Sequence, residues 1–586
     1  MKSFFKYVLA TVVGVILSGL VLLLIVFGIL GAMMSSIGSE EEAVVAENSV
    51  LHVSLNYPIP ERTNKNNFSA FNFSSMFDEQ LGLNDILARI EYAKTDDRIK
   101  GIYLDLSSVG ASFASMEEIR DALIDFKESK KFIIAYSEYY SQGSYYIASV
   151  ADKIYLNPEG LLEFTGLASQ SVFFKGALDK LGIEAQIIKV GTYKSAVEPF
   201  ILEKMSAANR EQVSSYLNSI YDHYLAGISQ SRKIPVDSLR QIADAMKIQD
   251  AQNAVDLRMV DAIKYKDEIL AELKQRLEVK EKRKIQSVSL SKYNVKPQNS
   301  TSKDRLAVVY AVGEIVSGEG GSDQIGSEKI SRAIRTARED DKVKAVVLRV
   351  NSPGGSALAS DVIWREVLLT KKVKPIIVSM GDMAASGGYY IAAPADSIFA
   401  QPNTITGSIG VFGIIPNFQK FFNDKLGITF DVVKTGEFSD LGSLDRPLTA
   451  QEEAIFQQSV NKMYYSFTQK VADGRKKERS YIDSIGQGRV WTGEQALKLG
   501  LVDRLGGIED AIASAAKKAG IDDYKLVSYP ALDDPFKSLL GSSGEKLSLW
   551  FTKKELGAAY PVYQQVKETM QQSGIQARIP HTIHIK

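Results

Sequence analysis

The chain opens on an apolar block. No charged residue stands between Tyr7 and Ser39, and Val8 to Met34 is dominated by Val, Leu, Ile, Gly and Ala. About 20 helical residues cross the hydrocarbon core of a bilayer, so this run predicts one membrane-spanning helix. No small-x-small cleavage pattern lies between Gly31 and Ala46, which favours an uncleaved anchor over a removable leader. Lys2 and Lys6 precede the span and Glu40, Glu41 and Glu42 follow it, which predicts a cytoplasmic N-terminus with the bulk of the chain on the far side.

Beyond this block the pattern becomes α/β. Residues 62–79, rich in Asn, Ser and Phe, read as a loop. Ile99 to Leu106 reads as a buried strand, Met116 to Ser129 as an amphipathic helix and Lys131 to Tyr136 as the next strand. The same order returns with Ala345 to Val350, Ser360 to Thr370 and Pro375 to Met380. Strands alternating with helices predict parallel sheets built through right-handed crossovers.

The two passages are copies. Asp96-Asp97-Arg98-Ile99-Lys100 aligns with Asp340-Asp341-Lys342-Val343-Lys344 at an offset of 244 residues. The same offset aligns Gly143 to Ala148 with Gly387 to Ala392, and Leu181-Gly182-Ile183 aligns with Leu426-Gly427-Ile428 at 245. A near-constant offset over such a length marks a duplication. Expected boundaries are an anchor over 1–47, a first repeat over 48–279, a basic and Ser/Asn-rich join over 280–303, a second repeat over 304–533 and a tail over 534–586. Within the tail, Gln564 to Gln572 looks helical.

Composition removes several chemistries. Lys+Arg and Asp+Glu both total 70, so no net charge draws nucleic acid. The chain has no cysteine, which excludes disulfides, thiolate catalysis and zinc–thiolate sites. Its four histidines are His52, His223, His581 and His584, none near the glycine-rich segments, so a Ser-His-Asp triad needs the fold to deliver one of them. No metal or other cofactor is expected.

Four segments carry candidate chemistry. Asn351-Ser352-Pro353-Gly354-Gly355-Ser356 lies between a strand and a helix, where glycine amides can face an anion or simply make a turn. Gly381-Asp382-Met383-Ala384-Ala385-Ser386-Gly387-Gly388-Tyr389-Tyr390 surrounds one serine with small residues. Two such turns after neighbouring strands can pair a nucleophile with oxyanion donors. Thr406-Gly407-Ser408-Ile409-Gly410 offers a hydroxyl that could orient a base. Gly191-Thr192-Tyr193-Lys194-Ser195-Ala196-Val197-Glu198-Pro199 offers a lysine, which must be buried and neutral to act as one. In the alignment Gln142 stands where the second copy has Ser386, and Ser439 stands where the first has Lys194. A nucleophile and a base split between copies imply one site built from both.

Taken together, Tyr193 to Pro199, Gly381 to Tyr390, Asn351 to Gly355 and Gly407 to Gly410 closely resemble the bacterial signal peptide peptidase A (protease IV) family, in its long tandem-repeat form. The resemblance covers the anchor and both repeats, and is less secure from Asp534 onward. It implies two tandem Clp-protease/crotonase-like α/β repeats and a Ser–Lys dyad, with Ser386 as nucleophile and Lys194 as general base. It further implies Ser408 as the hydroxyl assisting the lysine, and Gly354 and Gly387 at the oxyanion positions. Cleaved signal peptides and other short apolar or unfolded peptides are the implied substrates. A homotetramer in the bacterial cytoplasmic membrane, its repeats on the extracytoplasmic side, is the implied assembly. Two other readings are an acyl-CoA-type enzyme of the same superfamily, which has no use for Lys194, and a non-catalytic membrane scaffold retaining fossil motifs.

Overall fold

The computed structural model describes residues 2–37, 45–63, 80–295, 302–532 and 576–579. The first element is a single helix, Lys2–Ile37, and its stretch Lys6–Ile25 is long and apolar enough to cross a membrane.

The first repeat is built on β1 (Ser49–Val53), β2 (Ile99–Asp105), β3 (Phe132–Tyr140) and β4 (Lys153–Leu162). β5 (Glu184–Val190) leaves this sheet, while β6 (Ala262–Ile263) and β7 (Ser287–Ser289) complete it in the parallel order β6-β4-β3-β2-β1-β7. The stretch 280–303, expected to be a join, therefore contains an edge strand: Val288 is buried and pairs with Leu51. Charged neighbours on either side mask that short strand in the sequence. Lys280 to Lys284, by contrast, is turn and surface.

The second repeat begins with β8 (Arg305–Val312), β9 (Glu314–Val316) and β10 (Gln324–Gly326). It continues through β11 (Val343–Ser352), β12 (Gly354–Ser356), β13 (Ile376–Ala385) and β14 (Ser397–Ala400). β15 (Ile405–Gly407), β16 (Val411–Asn417), β17 (Val490–Thr492), β18 (Arg504–Leu505) and β19 (Lys525–Tyr529) follow, and β20 (Gln576–Arg578) comes from the tail. β18-β14-β13-β11-β8-β19 run parallel side by side, the same order as in the first repeat. The duplication seen in the sequence is thus a duplication of sheet topology.

The expected helices and strands are present with longer bounds: the helices are Phe113–Lys127 and Ala357–Lys371, and β3, β11 and β13 each run past the apolar stretch that announced them. Those extensions carry the chemistry, since β11 ends at Ser352 and β13 reaches Ala385. The loop expected over 62–79 and the helix expected over 564–572 lie outside the described residues, apart from Arg62 and Thr63.

The repeats share a core. Side chains alternate across a strand, and on β8 Leu306, Val308 and Tyr310 pack with the apolar residues of the first repeat, while Ala307, Val309 and Ala311 face a second core. Arg349 of β11 points into the shared side. It is fully buried, and its guanidinium donates to Glu61 at 2.8 and 3.2 Å, to Glu118 at 2.6 Å and to Ser379 at 2.8 Å. Both carboxylates belong to the first repeat, so one buried cation ties the repeats together. Glu61 also accepts from Asn351 Nδ2 at 2.8 Å, and Asn351 Oδ1 accepts from the Met383 amide at 3.2 Å. The lock therefore reaches both glycine-rich segments.

The third sheet mixes the copies. β5 of the first repeat pairs antiparallel with β16 of the second over seven residue pairs, from Val190↔Val411 to Glu184↔Asn417. This arm delivers the segment that follows it, Gly191 to Val197, into the second repeat.

Candidate active site

Ser386 sits where β13 turns into the short helix Gly387–Ala392, with φ 55° and ψ −111°. A positive φ on a residue with a Cβ costs of order 1–3 kcal/mol and persists only where the surroundings enforce it. Here the Ser386 amide donates to Gly407 O at 2.8 Å and the Tyr390 amide donates back to Ser386 O at 2.8 Å. The side chain is fully buried.

Lys194 arrives from the opposite side. Its Nζ lies 2.9 Å from Ser386 Oγ, 3.1 Å from Ser408 Oγ and 3.3 Å from Ser408 O. Lys194 is 1% exposed, and the ring of Phe412 lies 5.8 Å from Nζ. Among the described residues no carboxylate bonds the amine, so burial alone acts on it and pushes its pKa well below the ordinary lysine value. Ser408, itself at φ 49°, donates its hydroxyl to Gly488 O at 3.2 Å.

Two features of this pocket escaped sequence reasoning. One is the turn Gly486-Gln487-Gly488-Arg489. Gln487 O accepts from the Tyr193 amide at 2.9 Å, and a Cβ on Gly488 would stand 2.7 Å from Lys194 Cα. Glycine is needed there because the lysine backbone runs against it. The other is Gln212, on the helix Ala207–Arg232. Its Nε2 donates to Tyr193 O at 3.0 Å and to Ser195 Oγ at 2.9 Å, and its Oε1 accepts from the Val490 amide at 3.2 Å. An amide in a helix gives no local signal of its long-range partners, so only the fold reveals this clamp.

The two glycine-rich segments meet as expected. A Cβ on Gly354, at φ 103°, would come within 2.8 Å of the Gly387 nitrogen. The Gly354 amide donates to Ser352 Oγ at 3.2 Å. In the first repeat Gln142 fills the place of the serine and seals it: its Oε1 accepts from the Thr165 and Gly166 amides at 3.1 and 3.0 Å, and its Nε2 donates to Gly166 O at 2.9 Å. Ser439 lies on an exposed turn and bonds Gly436. Of the histidines, His52 lies 3.3 Å from Asp105 and His223 3.3 Å from Glu117, both within the first repeat. His581 and His584 lie outside the described residues.

A buried serine hydroxyl beside a buried, uncharged-prone amine, with glycine amides alongside, is the arrangement of a serine peptidase that uses lysine in place of histidine. Comparison with known proteins agrees: the chain belongs to peptidase family S49, whose model matches residues 125–280 and again 369–522. Protease 4 of Salmonella typhi is 40% identical over 478 residues, which cover 79% of this chain and 77% of that protein. Protease 4 of Haemophilus influenzae is 35% identical over 523 residues, covering 83% and 82% of the two chains. A protein of Enterococcus faecium named putative signal peptide peptidase SppA is 35% identical over 229 residues, 39% of this chain and 66% of that one. The chain is therefore a serine peptidase with two family repeats. Neither the scaffold nor the acyl-CoA reading fits that membership.

Proposed function

We propose that Ser386 is the nucleophile and Lys194 the general base, and that the enzyme degrades signal peptides and other short apolar peptides released at a membrane. The observation that carries this reading is the 2.9 Å separation of Lys194 Nζ and Ser386 Oγ in a pocket that disfavours the ammonium form. Neutral Lys194 takes the hydroxyl proton as Ser386 Oγ attacks the scissile carbonyl carbon. The tetrahedral oxyanion is held by the Gly387 and Gly354 amides, the latter exchanging its bond to Ser352 Oγ for the oxyanion. The protonated lysine then gives its proton to the leaving amine. Water, deprotonated by the neutral lysine, cleaves the acyl-enzyme ester. Ser408 holds Nζ in line throughout.

The substrate class rests on the name of the Enterococcus relative and on the apolar N-terminal helix. In this reading residues 7–34 anchor the chain in the bacterial cytoplasmic membrane, with the N-terminus inside and both repeats outside, and copies assemble as a homotetramer. The experiment is labelling with a fluorophosphonate followed by peptide mapping, together with digestion of synthetic signal peptides. Label on Ser386 and cleavage that vanishes with Ser386→Ala are expected. Label on another residue, or signal peptides left intact beside other peptides that are cut, overturns the respective half of the reading.

A further inference from the structure

We infer that the slot between β12 and β16 is the peptide-binding groove and that the chain's own tail, Gln576 to Ile579, is its resident occupant, which substrate must displace. The inference rests on the active-site reading above.

The third sheet has the order β10-β9-β12-β20-β16-β5. Five of its strands come from the two repeats, and one, β20, comes from the tail. Without β20 the sheet falls into two halves separated by a slot one strand wide, lined on both sides by backbone groups that lose their partners. Such paired edges accept an extended peptide by main-chain hydrogen bonding. The tail does this now. It runs antiparallel to β12 with Gly354↔Arg578, Gly355↔Ala577 and Ser356↔Gln576 in register, and antiparallel to β16 with Phe412↔Gln576. The Ile579 amide extends the pairing by donating to Pro353 O at 3.1 Å.

The slot lies on the catalytic residues. Gly354, at one edge, abuts Gly387, and Ala577 O lies 3.1 Å from where a Cβ of Gly387 would stand. Phe412, at the other edge, faces Lys194. Ile579 is 1% exposed and packs with Ala385, next to Ser386, and with Ile405, Val490, Tyr216 and Ile220. This pocket takes walls from both repeats. Arg578 turns the other way and donates to Glu314 Oε1 at 2.6 Å. The groove thus favours an extended peptide with an apolar side chain at the Ile579 position and a basic one just before it.

Four residues of contact make a weak ligand, but the ligand is tethered. The 43 residues between positions 532 and 576 can span on the order of 140 Å if extended, ample to reach the slot. Tethering presents the tail at an effective concentration of about millimolar, so a tail that binds weakly as a free peptide still occupies the groove, and a good substrate still displaces it.

The test compares the full chain with a version ending at Ile575 and with full-length Ile579→Asp, which places a charge in the apolar pocket. For a short chromogenic peptide, both variants should show KM lowered at least fivefold with kcat little changed, and fluorophosphonate labelling of Ser386 accelerated by a similar factor. A fluorescein-labelled peptide of residues 574–582 should bind the shortened protein by anisotropy, compete with substrate, and lose at least tenfold in affinity when its Ile579 equivalent is Asp. Unchanged KM and labelling rate in both variants overturn the inference while leaving the dyad intact. Failure of the dyad reading shows instead as absence of label on Ser386 in every version, and the anisotropy arm, which needs no catalysis, then still decides whether the tail binds this slot.

Discussion

Lys194 Nζ and Ser386 Oγ lie 2.9 Å apart inside one chain, although 192 positions separate them and each belongs to a different copy of a duplicated unit. Neither copy holds a complete site. Gln142 occupies the serine position of the first with three backbone hydrogen bonds, and Ser439 occupies the lysine position of the second on an exposed turn. The arm β5, paired along β16, brings the two halves together.

Removal of either member should abolish turnover. Ser386→Ala and Lys194→Ala are each expected to lower kcat/KM by about four to six orders of magnitude, with a combined loss no larger than the greater single one, because the pair acts as a unit. Circular dichroism should show both proteins folded. Gln142→Ala leaves two buried amides unpaired and should cost about 1–3 kcal/mol of stability, yet the folded protein should retain near wild-type kcat/KM.

The lysine sets a pH signature with a definite sign. Its pKa is lowered in the folded protein by burial, and the neutral form is the base, so kcat/KM should rise with pH through that lowered pKa and then level off. Stability follows the same group. Between the folded pKa and the unfolded value of about 10.4 the unfolded chain binds more protons, so the wild type gains stability as pH rises. Lys194→Met should be more stable than wild type at neutral pH, and its advantage should shrink toward pH 10 in urea titrations. An advantage independent of pH would contradict a buried titrating lysine.

Because the dyad closes within one chain, co-assembly cannot rescue it. Mixed oligomers of Lys194→Ala and Ser386→Ala chains should show no activity above either parent. Recovery of a quarter or more of wild-type activity would mean that neighbouring chains complete each other's sites.

Arg349 should be the most sensitive position between the repeats. Arg349→Met leaves Glu61 and Glu118 buried without their cation, and breaking a buried pair in this way costs about 3–5 kcal/mol. Burial already raises the pKa of Glu118 in the intact network. Loss of the arginine raises the folded-state carboxyl pKa values further, so the deficit should be small at acidic pH, where both are protonated, and grow as pH rises. Chemical denaturation of the two proteins at pH 5 and pH 8 measures it.

Much of this protein is determined locally and is legible along the chain. The apolar run Val8 to Met34 needs no partner to be a helix that can span a bilayer. Parallel strands buried on both faces announce themselves as apolar runs, and the offset of 244 residues announces the duplication whatever the fold. Ser386, Lys194 and Ser408 were legible because each sits in a run whose small or unusual neighbours serve chemistry more than packing. Tertiary structure decided the rest, for a physical reason common to every case: these features depend on partners far away in the sequence. The Gly488 turn and Gln212 act only by wrapping the Lys194 segment. Ser287 to Ser289 is a strand only because β1 offers an edge. Gln576 to Arg578 has no periodicity to mark it, and becomes a strand because β12 and β16 leave a gap one strand wide. Burial of Lys194 itself, the property that turns an ordinary lysine into a base, exists only once both repeats have closed around it.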